Sequence, residues 1–179
     1  MTERITLAHL NSCPPEAFCA ALADIWEHAS WVPRQVVDQR PFADTDALHR
    51  AMVAVVAAQS EAERVAFYAG HPELAGDDAR RGAMTAASVH EQGTLGLEHM
   101  AEQEAQRWNA LNRAYRERFG FPFILCIRRH TRESALQAFE QRLQHDRATE
   151  LAHALDEIAT ITRLRLGRLM AEPAGMTVA

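Results

Sequence analysis

The stretch DRATELAHALDEIATITRLRLGRLM, Asp146 to Met170, reads as one long helix and decides the fold class. Within it Leu151, Leu155, Ile158, Thr162, Arg165 and Leu169 follow spacings of 4, 3, 4, 3 and 4, the stripe of a helix that turns one face to a core. Arg165 interrupts that stripe. At about 100° per residue, Arg163 falls well off the apolar face and Arg168 at its edge, while Arg165 lies within it. A guanidinium keeps its proton and is rarely buried without a partner. Arg165 therefore calls for an internal carboxylate, for example Glu91, or for an anionic ligand, and both readings suit bidentate Arg–carboxylate pairing.

Upstream of this helix the signals are again helical. Ser12, followed by Pro14, Pro15 and Glu16, predicts a helix through AFCAALADIWEH. Trp31, Val32 and Pro33 break that pattern, and Arg40 to Phe42 extends a loop. Asp44, Thr45 or Asp46 caps a second helix, ALHRAMVAVVAAQ, and Ser60 with Glu63 forms a capping box for a third. The third ends near Gly70, because His71 precedes Pro72 and is biased away from the α region. Thr85 caps a helix through Ser88, Glu91 and Gln92, which Gly93 and Gly96 weaken by about 1 kcal/mol each relative to alanine. A long helix from about His99 to Arg118 stops at Gly120, and Thr131 caps another through Leu143. Phe121 to Ile127, FPFILCI, is apolar and has no second strand to pair with. The expectation is an all-α, single-domain bundle of about seven or more helices over residues 1–179, with residues 171–179 a flexible tail.

Composition narrows the chemistry. All nineteen basic residues are arginine, so no lysine is present to form a Schiff base or to complete a GxxxxGK[ST] phosphate loop. Alanine, the best helix former, occurs 33 times in the 179 residues. The net charge of −5 argues against a nucleic-acid partner. Cys13, Cys19 and Cys126 form an odd set without CxxC spacing and read as reduced core thiols. No signal-peptide layout, membrane-length apolar run or peroxisomal terminus is visible, which makes a cytoplasmic protein the expectation.

Three further features can carry chemistry. His71 in HPELAG is fixed at a chain corner by Pro72; it reads either as a C-capping histidine or as an acid/base near neutral pH. Ser88, Glu91 and Gln92 lie at i, i+3 and i+4 on one helix face, which is either solvated or set to bind a small polar molecule. His90 beside Glu91 makes no HExxH, because position 94 is threonine. Phe121 to Ile127 must satisfy its backbone groups without a partner strand, as a connector through the core or against an amide-rich ligand.

Taken in order, these features resemble the OHCU decarboxylases, which act on 2-oxo-4-hydroxy-4-carboxy-5-ureidoimidazoline in purine catabolism. EHASWV (Glu27 to Val32) with RPF, HPELAG, SVHEQGTLGL, LNRAYRERFGFPFILCIR (Leu111 to Arg128) and EIATITRLRLGRL (Glu157 to Leu169) are similar to that family's motifs. One departure is Asp77 and Asp78 after HPELAG, where the family often has a basic residue. The resemblance implies an all-α homodimer and cofactor-free, metal-free decarboxylation to (S)-allantoin. By that resemblance His71 is the catalytic acid/base, with Glu91 and Arg165 also catalytic. Pro72, Ser88, Val89, His90, Glu91, Gln92, Phe123, Ile124, Leu125, Cys126, Ile127 and Arg165 are implied to line the substrate site. Two readings from other classes compete: a metal-dependent hydrolase using some of the nine histidines with Glu91, and a helical interaction module without catalysis.

Overall fold

The computed structural model describes residues 4–75 and 101–170. Among these residues eight α-helices form: α1 Leu7–Ser12, α2 Pro15–Ala21, α3 Trp31–Val36, α4 Thr45–Ala57, α5 Glu61–Ala69, α6 Glu102–Phe119, α7 Arg132–Arg142 and α8 Arg147–Leu169. No strand forms among them; Ile5 and Met170 make an isolated parallel bridge. The all-α expectation holds. No helix among the described residues is long and apolar enough to cross a membrane.

Local capping chemistry sets most boundaries. Asp44 accepts the Ala47 N–H at 2.6 Å and opens α4. Ser60 and Glu63 form the reciprocal capping box of α5, and Thr131 and Ser134 form that of α7. Asp146 accepts the Thr149 N–H at 2.8 Å where α8 begins. Gly120 closes α6 in the left-handed region at φ 82°, a conformation without penalty only for glycine.

The N-terminal prediction needs correction. Ser12 ends α1 rather than capping the next helix: its hydroxyl donates back to the carbonyls of Ala8 and His9, and α1 is capped by Thr6. The helix that follows stops at Ala21 instead of reaching His28, which sits at φ 51° outside any right-handed helix. Trp31 to Pro33 begin a helix rather than breaking one. Pro33 falls in the first turn of α3, where its missing N–H has no intrahelical acceptor to lose.

The chain divides into two compact units. One holds the residues through Gln59 together with those from Ala159 onward, and the other spans Ser60–Ile158. In the first unit α3 packs on α2 and α4, burying Phe18, Leu22, Trp26, Val32, Leu48 and Met52. Arg40 ties its loop down by donating to the carbonyls of Leu10 and Cys13, at 3.1 and 2.7 Å. The end of α8 is stitched to the N-terminal segment by Ile5 N–H to Leu169 O at 3.0 Å. In the second unit α6 packs on α7 around an aromatic core of Tyr68, Trp108, Tyr115, Phe119, Phe121, Phe123 and Phe139. Cys13 and Cys126 are buried thiols, while Cys19 is partly exposed rather than core.

Candidate functional site

His71 stands where α5 ends. Gly70 N–H bonds back to Phe67 O at 3.2 Å and His71 N–H to Tyr68 O at 3.0 Å, so the backbone turns out of the helix at this residue. The imidazole Nδ1 lies 3.3 Å from Phe67 O, and the ring meets the Phe67 ring edge-on at 5.0 Å between centroids. A carbonyl only accepts, so in this contact Nδ1 carries the proton. In the neutral ring the basic lone pair is then on Nε2. The imidazole thus meets a carbonyl of the last turn of α5, as a capping histidine does.

The loop after His71 is held from α6. Asn112 Nδ2 donates to Leu74 O at 2.9 Å, and Arg116 Nε to Glu73 Oε1 at 2.9 Å. Ala75 sits in the left-handed region at φ 56°. A non-glycine residue costs about 1–2 kcal/mol there, and such strain gathers where surrounding structure enforces it. His28, beside Glu27, is the other non-glycine residue with positive φ among those described. Both lie in motifs that the sequence singles out.

Phe121 to Ile127 is buried along its whole length. Side chains and a following turn, rather than a strand, bond several of its backbone groups. Arg142 Nη1 donates to Ile124 O at 2.8 Å, and Cys126 N–H donates to Glu157 Oε2 at 2.7 Å. Arg129 N–H and His130 N–H then bond Cys126 O and Ile127 O at 3.1 and 3.0 Å. Arg142 also lies over the Phe123 ring, 4.6 Å from its centroid. Its Nε donates to Glu150 Oε1 at 2.8 Å, and the Tyr115 hydroxyl donates to the same oxygen. Burial pushes the Tyr115 phenol well above its ordinary range, so it remains a donor. Sequence periodicity did not mark Arg142, Glu150 or Glu157, because each partner lies on a different element.

Arg165 belongs to the first unit and is 9% exposed, as the stripe in α8 predicts. Its Nη1 donates to Glu27 Oε2 at 2.9 Å, and Glu27 is itself 4% exposed. Glu27 therefore supplies an internal carboxylate to Arg165, while Glu91, the example offered from the sequence, lies outside the described residues. One turn earlier on α8, the Thr162 hydroxyl donates to Ala159 O at 3.1 Å and so accepts from His49 Nε2 at 3.0 Å. Burial first, and the Arg163 charge second, lower the His49 pKa from 6.5. Arg163, off the stripe, instead pairs with Asp46 near the surface.

Ser88, Val89, His90, Glu91 and Gln92 lie outside the described residues, as do Thr85, Gly93 and Gly96. Of the remaining sequence candidates, His71, Pro72 and Phe123 to Ile127 belong to the second unit, and Arg165 to the first. Glu27 is the residue that sequence reasoning missed. The signal lay in EHASWV, where a carboxylate stands amid apolar neighbours.

The family model described as OHCU decarboxylase matches residues 11–167, a span that runs through both units. A relative from Haloferax volcanii, named 2-oxo-4-hydroxy-4-carboxy-5-ureidoimidazoline decarboxylase, is 35% identical over 162 residues, covering 90% of this chain and 94% of its own. A crystal structure of (S)-allantoin synthase is similar at a TM-score of 0.75 and 28% identity, over 93% of this chain and 54% of that one. This chain thus spans about half the length of that protein. A crystal structure of OHCU decarboxylase in the presence of (S)-allantoin matches in fold, with a TM-score of 0.64 and 22% identity over 89% of this chain and 100% of that one.

Proposed function

The chain belongs to the OHCU decarboxylase family, and from that premise we propose that it decarboxylates 2-oxo-4-hydroxy-4-carboxy-5-ureidoimidazoline to (S)-allantoin in urate catabolism, with His71 as the acid/base. The observation that carries the reading is the family match over residues 11–167. Relatives of nearly the same length, such as the Haloferax volcanii protein, bear that activity in their names.

The substrate carries its carboxylate on a carbon adjacent to a C=N bond. When CO2 leaves, the C–C electron pair moves onto that nitrogen, so the substrate provides its own electron sink. The protein's task is to orient the carboxylate, stabilise developing charge and deliver a proton to one face of the ureido-bearing carbon of the former C=N bond, as the hydroxyl-bearing carbon gives up its O–H proton and becomes a carbonyl. His71 suits this delivery: Nδ1 is anchored on Phe67 O, which fixes the ring and assigns proton exchange to Nε2. Pro72 beside it holds the corner. Phe123 to Ile127 offers a segment whose amide and carbonyl groups are held in place by Glu157 and Arg142. Arg165, held by Glu27, offers a guanidinium for an anionic or carbonyl oxygen. Ser88, Val89, His90, Glu91 and Gln92 complete the set by resemblance, with Glu91 and Gln92 bonding the ureido and ring amides. In the same reading the protein is a cytoplasmic homodimer that needs no cofactor.

Uncatalysed decay of the substrate gives racemic allantoin, so optical activity reports the enzyme. Adding the protein to freshly oxidised urate products should speed allantoin formation and enrich it in the (S) enantiomer. Racemic product formed at an unchanged rate refutes the assignment.

A further inference from the structure

A second group of chemistry-bearing side chains stands at the start of α8 and shares no residue with the decarboxylation set. His145, in the turn before α8, and Glu150 and His153, on its first turns, each bring one ligand atom to within 4.8 Å of the others. The i, i+3 spacing puts Glu150 and His153 on one helix face, and the turn after α7 returns His145 to that face. We propose that these three residues bind one divalent transition-metal ion, with zinc the best match to two imidazoles and a carboxylate.

The surroundings prepare each ligand. Glu150 is fully buried, and its Oε1 accepts from Arg142 and from the Tyr115 hydroxyl. Those bonds hold the carboxylate in one orientation and turn Oε2 to His145 Nδ1 at 2.9 Å. Such outer partners orient metal-binding carboxylates. The rings of His145 and His153 meet edge-on, 4.8 Å between centroids. Ligands at about 2.1 Å from a tetrahedral zinc stand about 3.4 Å apart. The His145–Glu150 pair is already within that spacing, and the exposed His153 has the rotamer freedom to close the remainder. On binding, His145 Nδ1 bonds the ion in place of the proton it donates to Glu150 Oε2, and Nε2 carries the ring N–H. The solvent side at His153 admits the ion and a water to complete four-coordination.

A simpler account makes His145 a donor that completes the bonding of a buried carboxylate, and it assigns His153 no part. Cobalt(II) separates the two, because its d–d bands report coordination directly. The full chain, stripped with chelator and titrated with cobalt chloride, should develop tetrahedral or five-coordinate bands at one equivalent, with an affinity tighter than about 10 µM. Zinc chloride should displace the cobalt and raise the melting temperature. His153→Ala should weaken cobalt binding by at least about tenfold and abolish the zinc-dependent rise. His9→Ala, at an exposed site on α1, should leave both unchanged. The proposal is overturned if no bands develop by about 100 µM cobalt, if His153→Ala binds as the parent does, or if His9→Ala removes the binding. None of these readouts depends on decarboxylase activity, so they stand apart from the assignment of His71.

Discussion

Replacing Glu27 by glutamine removes one charge from a pair whose side chains are 2% and 8% exposed. The Arg165 Nη1 to Glu27 Oε2 distance is 2.9 Å, which sets the charge centres about 4 Å apart and gives about 4 kcal/mol of attraction at an effective dielectric constant of 20. Glutamine keeps a carbonyl oxygen to accept the Arg165 N–H but not the charge. The expected destabilisation is about 3 kcal/mol, the lower part of the range for breaking a buried pair. For a chain of this length that corresponds to a melting temperature about 6–12 °C lower. In urea the midpoint should fall while the slope stays constant, since the surface exposed on unfolding is unchanged. A double-mutant cycle with Arg165→Met isolates the pair: removing both groups should cost less than the sum of the single changes, with a coupling above about 1 kcal/mol. A single-variant loss below about 0.5 kcal/mol, or additive effects, refutes the claim that Glu27 holds Arg165 energetically as well as geometrically.

Three further outcomes follow from the same geometry. His71→Asn should lower turnover by about 10²–10⁴-fold while a substrate analogue still binds, because the acid/base is lost and the corner is kept; equal turnover per bound substrate reassigns His71 to binding. The His49 pKa is lowered below 6.5 by burial and by Arg163, opposed in part by a hydrogen bond to the Ala159 backbone and by Asp46. Above pH 6.5 the ring is neutral in both folded and unfolded chains and its contribution is fully present. As pH falls toward the lowered folded value, the unfolded chain takes up the proton first and stability declines. Denaturation midpoints measured from pH 7 downward should therefore drop less steeply in His49→Gln than in the parent. Glu157→Ala removes the acceptor of the Cys126 N–H and should cost about 2 kcal/mol in urea unfolding; a change within error means that bond is not holding the segment.

The legible part of the fold is the part written in short-range chemistry. Asp44 caps through Ala47, Ser60 through Glu63, Thr131 through Ser134 and Asp146 through Thr149, each within three residues. Local rules fail between Ala21 and Trp31. Helix propensity favours continuing α2 to His28, yet Ile25, Trp26, Glu27 and Ala29 are all buried in irregular backbone. Their burial outweighs a propensity of a few tenths of a kcal/mol per residue. Trp31 to Pro33 fail the opposite way, since proline is read as a breaker until its place in the first turn is known.

The candidate site divides along the same line. Arg165 is visible in sequence because the 3.6-residue period of α8 marks its face, and His71 because Pro72 constrains the residue before it. Arg142, at 6% exposure, is buried at least as deeply as Arg165, but it lies at the last turn of α7 on no clear stripe. The partners of these groups are not visible at all. Glu27 and Arg165 are 138 positions apart, and Cys126 and Glu157 are 31 apart.

By itself, then, the sequence determined the helical class, most helix ends, the corner at His71 and the burial of Arg165. Those follow from periodicity and from hydrogen bonds that close within one turn. The tertiary structure decided that Glu27 meets Arg165, what bonds Ile124 O and the Cys126 N–H, and how His145 comes to stand beside Glu150. A buried charge or amide dictates that some partner be present, but any of many residues meets that demand until the chain has folded and brought one of them within 3 Å.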